Sequence, residues 1–125
     1  MPSDLSCAFF ISALNSSSVG SSTRGIFAGG RTGSAAYTNV IQYVYITSTG
    51  NAKDFGDLTI AMSGCGGSGS STRGVIASSY VGGYSNVINY LTIDTLGNAS
   101  DFGDLTNARQ LAGSFSNSTR ACWAG

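Results

Sequence analysis

An all-β fold assembled from a repeat is the structural class this sequence predicts, on three observations. Gly50 to Thr59 reads GNAKDFGDLT and Gly97 to Thr106 reads GNASDFGDLT, so nine of ten residues recur 47 positions apart. The apolar segments NVIQY (39–43) and NVINY (86–90) keep the same separation, and Ser-Thr-Arg occurs three times, ending at Arg24, Arg73 and Arg120. No window of 11 residues or more carries helical periodicity. Self-similarity at a period of roughly 40 to 50 residues marks units that cannot bury their own apolar faces and so stack on one another.

The first expected strand is Arg24 to Gly30 (RGIFAGG), with counterparts at Arg73 to Ser79 and Arg120 to Gly125. The Gly- and Ser-rich stretches before it, such as 63–72 and 113–119, suit tight hairpin turns. The next strand is Asn39 to Thr47 (NVIQYVYIT), repeated at Asn86 to Asp94, because β-branched and aromatic residues run up to a Gly50-Asn51 or Gly97-Asn98 turn. Alternation sends Val40, Val44 and Ile46 to one face and Ile41, Tyr43 and Tyr45 to the other, so both faces are expected to be covered.

The Asp-Phe-Gly-Asp element at 54–57 and 101–104 reads as a turn whose aspartates accept backbone hydrogen bonds. It carries the letters of the kinase magnesium motif without the phosphate loop, lysine strand or catalytic loop that give those letters meaning. Carboxylates three positions apart would hold Ca²⁺ only with carbonyl help from the loop, and no metal is expected.

Within one domain, the divisions are a partial unit at 4–30 and repeats at 39–79 and 86–125. The segment from Asp-Leu to Ser-Thr-Arg occurs three times, from Asp4, Asp57 and Asp104. The segment from Asn-Val-Ile to Asp-Phe-Gly occurs twice. Asp4 to Arg24 spans 20 positions where the later copies span 16, which places four extra residues in the first Ser-rich loop. Terminal repeats are commonly irregular in this way.

Only 10% of residues are charged, net charge is zero, and the six basic residues are scattered, so no surface neutralises several phosphates together and nucleic acid is not an expected partner. The chain has no His and no Glu, which leaves Ser and Cys without their usual activating base. An enzyme is not expected, and neither is a cofactor. Cys7, Cys65 and Cys122 sit at inequivalent places in the repeat and read as reduced, small buried hydrophobes rather than a disulfide framework. The apolar run at 7–11 is too short for a signal segment or a membrane span, so neither export nor membrane insertion is expected.

Two sets of residues are candidates for specific contacts. Three arginines and three Asp-Leu sites suggest pairing of Arg24, Arg73 and Arg120 with Asp4, Asp57 and Asp104, a structural ion pair fixing the register of each unit. The rival reading is an arginine row that recognises a carboxylate-bearing ligand. Tyr43, Tyr90 and Trp123 fall in expected strands and belong to the core. Tyr37, Tyr80 and Tyr84 fall in or near loops and are the candidates for stacking on a ligand, a sugar above all.

A strand ending in Gly29-Gly30, a variable loop, an apolar Tyr-bearing strand at 40–46 and a short aromatic segment at Phe55 or Phe102 before Leu resembles the kelch motif of β-propeller blades. Ser78-Ser79 stand where the second copy's Gly pair would be, and Phe replaces the usual Trp. The wording STRG, NVI-x-Y and GNA-x-DFGDLT is similar to kelch-like repeats in structural proteins of marine tailed bacteriophages, cyanophages in particular. The resemblance runs from Asp4 onward.

It implies about two and a half propeller blades per chain, a ring completed by oligomerisation or by a partner, and a virion location after assembly in the host cytoplasm. The implied role is a non-enzymatic tail- or capsid-associated protein that binds itself or other virion proteins. The alternative is a carbohydrate-binding module that adsorbs to a host-surface glycan.

Overall fold

The structure, a computed structural model, describes residues 13–32 and 36–125. Asp4, Cys7 and the apolar run at 7–11 lie outside the described residues. Those residues form thirteen strands and no helix, in three antiparallel sheets, none of them closed on itself. No helix is long and apolar enough to cross a membrane among the described residues.

The first sheet is a meander of β2 (Ser17–Gly20), β3 (Arg24–Ala28), β5 (Ala36–Tyr45) and β6 (Lys53–Met62), each strand paired to the next. Two short strands, β1 (Ala13–Leu14) and β4 (Arg31–Thr32), extend it at the start of β5. The second sheet repeats the meander as β7 (Gly66–Gly69), β8 (Arg73–Ala77), β10 (Tyr84–Thr92) and β11 (Ser100–Arg109), with β9 (Ser79–Tyr80) on the start of β10. The third is a single hairpin, β12 (Gly113–Ser116) and β13 (Ala121–Ala124). The strands expected at 24–30 and 39–47 and at their copies are therefore present. The segments 63–65 and 110–112 separate the three sheets along the chain.

Two expectations need correction. Asp-Phe-Gly-Asp is strand rather than turn. Ile41 pairs with Gly56 and Gln42 with Asp54, so Phe55 bulges out, and Gly56 takes φ 149° to absorb the extra residue. Gly103 does the same in the copy, with φ 138°. The turn chemistry expected there survives only locally, where Asp101 accepts from the Gly103 amide at 3.3 Å.

The Gly/Ser stretches at 63–72 and 113–119 likewise contain strands, β7 and β12, with the tight turn confined to their far ends. Their smallness is a packing requirement: a Cβ on Gly67 would run into the carbonyl of Ser18, in the strand that lies against it.

Each Ser-Thr-Arg closes a hairpin. Ser21, Ser70 and Asn117 donate their amides to the carbonyls of Arg24, Arg73 and Arg120, each at 2.9 Å. The same three side chains accept from the amides two and three residues on, at 3.2 and 3.2 Å for Ser21, 3.3 and 3.2 Å for Ser70, and 2.8 and 2.8 Å for Asn117. A hydroxyl or amide oxygen thus holds the turn, as short polar side chains do.

The core lies between the first two sheets, with Ile26, Ile41 and Met62 of the first sheet, Ile76 of the second and Ile93 just beyond β10 fully buried. Removing each such side chain from water contributes roughly 1.5–3 kcal/mol. In β5 only the middle is covered on both faces: Ile41, Tyr43 and Val44 are buried, while Val40 and Tyr45 stay exposed, as does Ile46 just beyond the strand.

Candidate functional site

The tyrosines singled out in the sequence come together. All three lie in strands rather than loops: Tyr37 in β5, Tyr80 in β9 and Tyr84 at the start of β10. Tyr84 is paired in register with Tyr80, and their rings meet edge to face with centroids 6.2 Å apart. Tyr80 also meets Tyr37 of the first sheet edge to face at 5.9 Å, across the boundary between the two sheets.

What crosses that boundary is main chain. Tyr80 and Ser63 exchange two backbone hydrogen bonds, of 2.8 and 3.1 Å, which seats β9 against the end of the first sheet. Arg31, paired in register with Tyr37, places its guanidinium 5.8 Å from the Tyr37 ring centroid. Such an arrangement is held by the ring quadrupole and orients both groups.

These residues line an open cleft of about 760 Å³, completed by Asn15, Ser63, Gly64, Gly83, Gln110 and Leu111. Its floor has its own order. Asn15, Gly64 and Leu111 occupy the same phase of three successive repeats, and all three are in the left-handed region, at φ 58°, 64° and 54°. Their backbones form a chain, with Leu111 N–H donating to Gly64 O at 2.8 Å and Gly64 N–H donating to Asn15 O at 2.9 Å. Asn and Gly adopt this conformation readily, whereas Leu does so at a cost of roughly 1–2 kcal/mol.

Among the lining residues Arg31 is the single charge, and there is no carboxylate. Phenol rings and hydroxyls, one guanidinium and neutral amides can stack on a flat ring and hydrogen-bond its hydroxyls. Sequence reading missed Asn15, Arg31, Ser63, Gln110 and Leu111. The shared phase of 15, 64 and 111 was the available signal.

The expected arginine–aspartate pairs do not form among the described residues. Arg24, half-buried, donates to Ile93 O at 2.8 Å and to the Tyr45 hydroxyl at 3.4 Å, and lies 5.0 Å from the Tyr43 ring centroid. Arg73 lies 4.9 Å from the Tyr90 ring, and Arg120 is exposed at the last hairpin turn. Arg24 and Arg73 each stand over an aromatic face at the start of their strand and form no ion pair among the described residues.

Arg24 shapes the acidity of its neighbours. The hydrogen bond from Arg24 holds the Tyr45 hydroxyl below the usual phenol range, helped by Tyr43. Tyr43 moves the other way, first because its hydrogen bond to Tyr45 and then because burial favours the neutral form.

Of the strand aromatics expected in the core, Tyr43 is buried and Tyr90 half-buried. Trp123, also half-buried, donates from its indole to Gly66 O at 3.2 Å. Cys65 and Cys122 are free thiols. Burial pushes Cys65 up to about 12, while Cys122 is exposed. No cluster of three or more metal-ligating side chains occurs among the described residues.

No protein-family model and no curated protein sequence matches this chain.

Proposed function

We propose that this protein is a non-enzymatic interaction module whose meanders are blades of the kelch-like propeller type, acting in a tailed-phage virion by assembling with copies of itself or with other virion proteins. The observation that carries the reading is the repeated order of the first two sheets together with the stacking of their first strands. β2 lies against β7 and β7 against β12. Equivalent residues in the last pair are hydrogen-bonded: Ser114 Oγ donates to Gly67 O at 2.8 Å, and Ser116 Oγ to Gly69 O at 2.6 Å. Strands of equal phase lying side by side are what a radial array of sheets requires.

Among the described residues, two full meanders and one hairpin leave strand edges and an apolar face uncovered, and such surfaces associate. Light scattering on the purified protein tests the proposal. Discrete assemblies larger than the 12.7 kDa chain are expected. A monodisperse monomer at all concentrations sinks self-assembly.

The tyrosine cleft favours a second reading, a shallow carbohydrate site used for adsorption to a host surface. Three edge-to-face tyrosine rings beside one guanidinium give stacking area and hydrogen-bond donors without a repelling carboxylate. Glycan-array binding that Tyr84→Ala abolishes supports this reading, and a blank array removes it.

A further inference from the structure

The contacts by which the second sheet covers the first have open counterparts one repeat later. At the covered position, the turn at 97–99 lies on the outer edge of β6. Gly97 N–H donates to Phe55 O at 2.9 Å and Ala99 N–H to Asp57 O at 2.8 Å, while Asn98 Oδ1 accepts from Asp57 N–H at 3.0 Å. Asn89 Oδ1 accepts from the Thr59 hydroxyl at 2.6 Å, and Arg24 reaches Ile93 O at 2.8 Å. Phe55, beneath this turn, is 2% exposed.

At the equivalent position no turn lies on β11 among the described residues, and Phe102 is 56% exposed. Asp104 and Arg73, the counterparts of the half-buried Asp57 and Arg24, are exposed too. β13 completes the picture. β3 and β8 each pair on their outer side with a long strand, β5 and β10, whereas β13 pairs with β12 alone among the described strands. The Thr23 and Thr72 carbonyls accept from Ile46 and Ile93 amides at 2.9 Å, and Thr119 holds the same phase in the last hairpin. An open groove of about 680 Å³, with Phe102, Leu105 and Trp123 among its walls, separates β11 from β13.

We infer that the outer edges of β11 and β13 form one receptor for an outer β-hairpin of this same repeat, two strands joined by a Gly-Asn-Ala turn, carried by another chain. The chain supplies its own template for the fit. The incoming first strand adds to β13 in the register that β10 takes on β8, where Asn89 faces Ile76 and Leu91 faces Gly74, so that these positions come opposite Trp123 and Ala121. The Gly-Asn-Ala turn then lies on Phe102 to Asp104, its two amides donating to the Phe102 and Asp104 carbonyls and its Asn oxygen accepting from the Asp104 amide. Strand addition supplies the affinity, and the turn with the Phe102 pocket supplies the specificity. The inference names the partner for the assembly reading and rests on it only in taking association to be the role of these edges.

A fluorescein-labelled synthetic peptide of residues 84–109, titrated into the full chain, tests it by anisotropy. Saturable binding of one peptide per chain is expected, weakened roughly tenfold or more both by Phe102→Asp in the protein and by Asn98→Ala in the peptide. Phe115→Asp, an exposed position outside the groove, leaves it unchanged. Slower amide exchange at Asp104 on adding peptide is the second readout. The absence of saturable binding up to roughly 1 mM, or binding that a scrambled peptide or Phe102→Asp leaves equal, overturns the inference even where light scattering finds multimers. A monomeric chain that binds the peptide keeps the inference and removes only self-assembly.

Discussion

Arg24 and Arg73 hold the same place in successive repeats, yet only Arg24 reaches across to a carbonyl of the next sheet. A charge-assisted hydrogen bond to a partly buried carbonyl, with an aromatic face beneath, contributes more than an exposed stack alone. Arg24→Ala is therefore expected to cost about 1–3 kcal/mol in urea unfolding, and Arg73→Ala less than about 1 kcal/mol. Equal losses would refute this assignment. Leu111 presents the opposite case, a β-carbon held at φ 54° on the cleft floor. Leu111→Asn should raise stability by roughly 1 kcal/mol, read as a higher melting temperature.

Cys65 links stability to pH. Its thiol is raised in the folded state, so the neutral form is favoured there, and the contribution is complete below the ordinary value near 9 and lost as pH rises toward about 12. Alkaline melting curves should fall across that window, and Cys65→Ala should flatten the fall. A fall of equal steepness in the variant assigns it to other groups.

At the scale of elements, the second strand of each hairpin, β3, β8 or β13, depends on a side chain one residue ahead of the repeated Ser-Thr-Arg. Asn117 does the same work as Ser21 and Ser70, since either a hydroxyl or an amide oxygen can accept from the two turn amides. The Phe-Gly bulge separates backbone strain from packing. Gly56 and Gly103 both take a positive φ, but only at Gly56 would a Cβ meet the main chain of the covering turn, at Gly97 and Asn98. Gly103→Ala is expected to cost about 1–2 kcal/mol for the backbone alone, and Gly56→Ala clearly more. Comparing the two denaturation midpoints checks this, and equal costs would mean that the turn at 97–99 does not hold the edge of β6.

For the whole molecule, the decisive contrast is one repeat seen twice in different surroundings. Phe55 is buried because the turn of the second sheet covers it, and Phe102 is exposed because no described residue takes that place on the second sheet. Burying a ring of that size contributes roughly 1.5–3 kcal/mol, so the face around Phe102 favours association with whatever can cover it. Substituting it with Asp should lower any self-association without loss of fold, measurable as a shift toward the 12.7 kDa species in sedimentation.

The repeat, the lack of helical pattern and the two long middle strands are legible in the amino-acid order alone, because β-branched alternation and a fixed period are local properties of the chain. The sequence also marked Tyr37, Tyr80 and Tyr84. It misread Asp-Phe-Gly-Asp and the Gly/Ser stretches as turns, since their composition is that of turns. Their strand conformation comes from neighbours, through a bulge paired against Ile41 and Gln42 and a glycine pressed on Ser18. Arg24 and Arg73 stand over tyrosine rings rather than on Asp57 or Asp104, and Asp4 lies outside the described residues: spacing counts residues but does not say which way a guanidinium points at a strand end. That the three tyrosines share a cleft with Arg31 and Leu111, and that equivalent residues meet different fates, follows from the packing of the sheets. Burial depends on what stands on the far side of a sheet, and no residue carries that information in its own sequence.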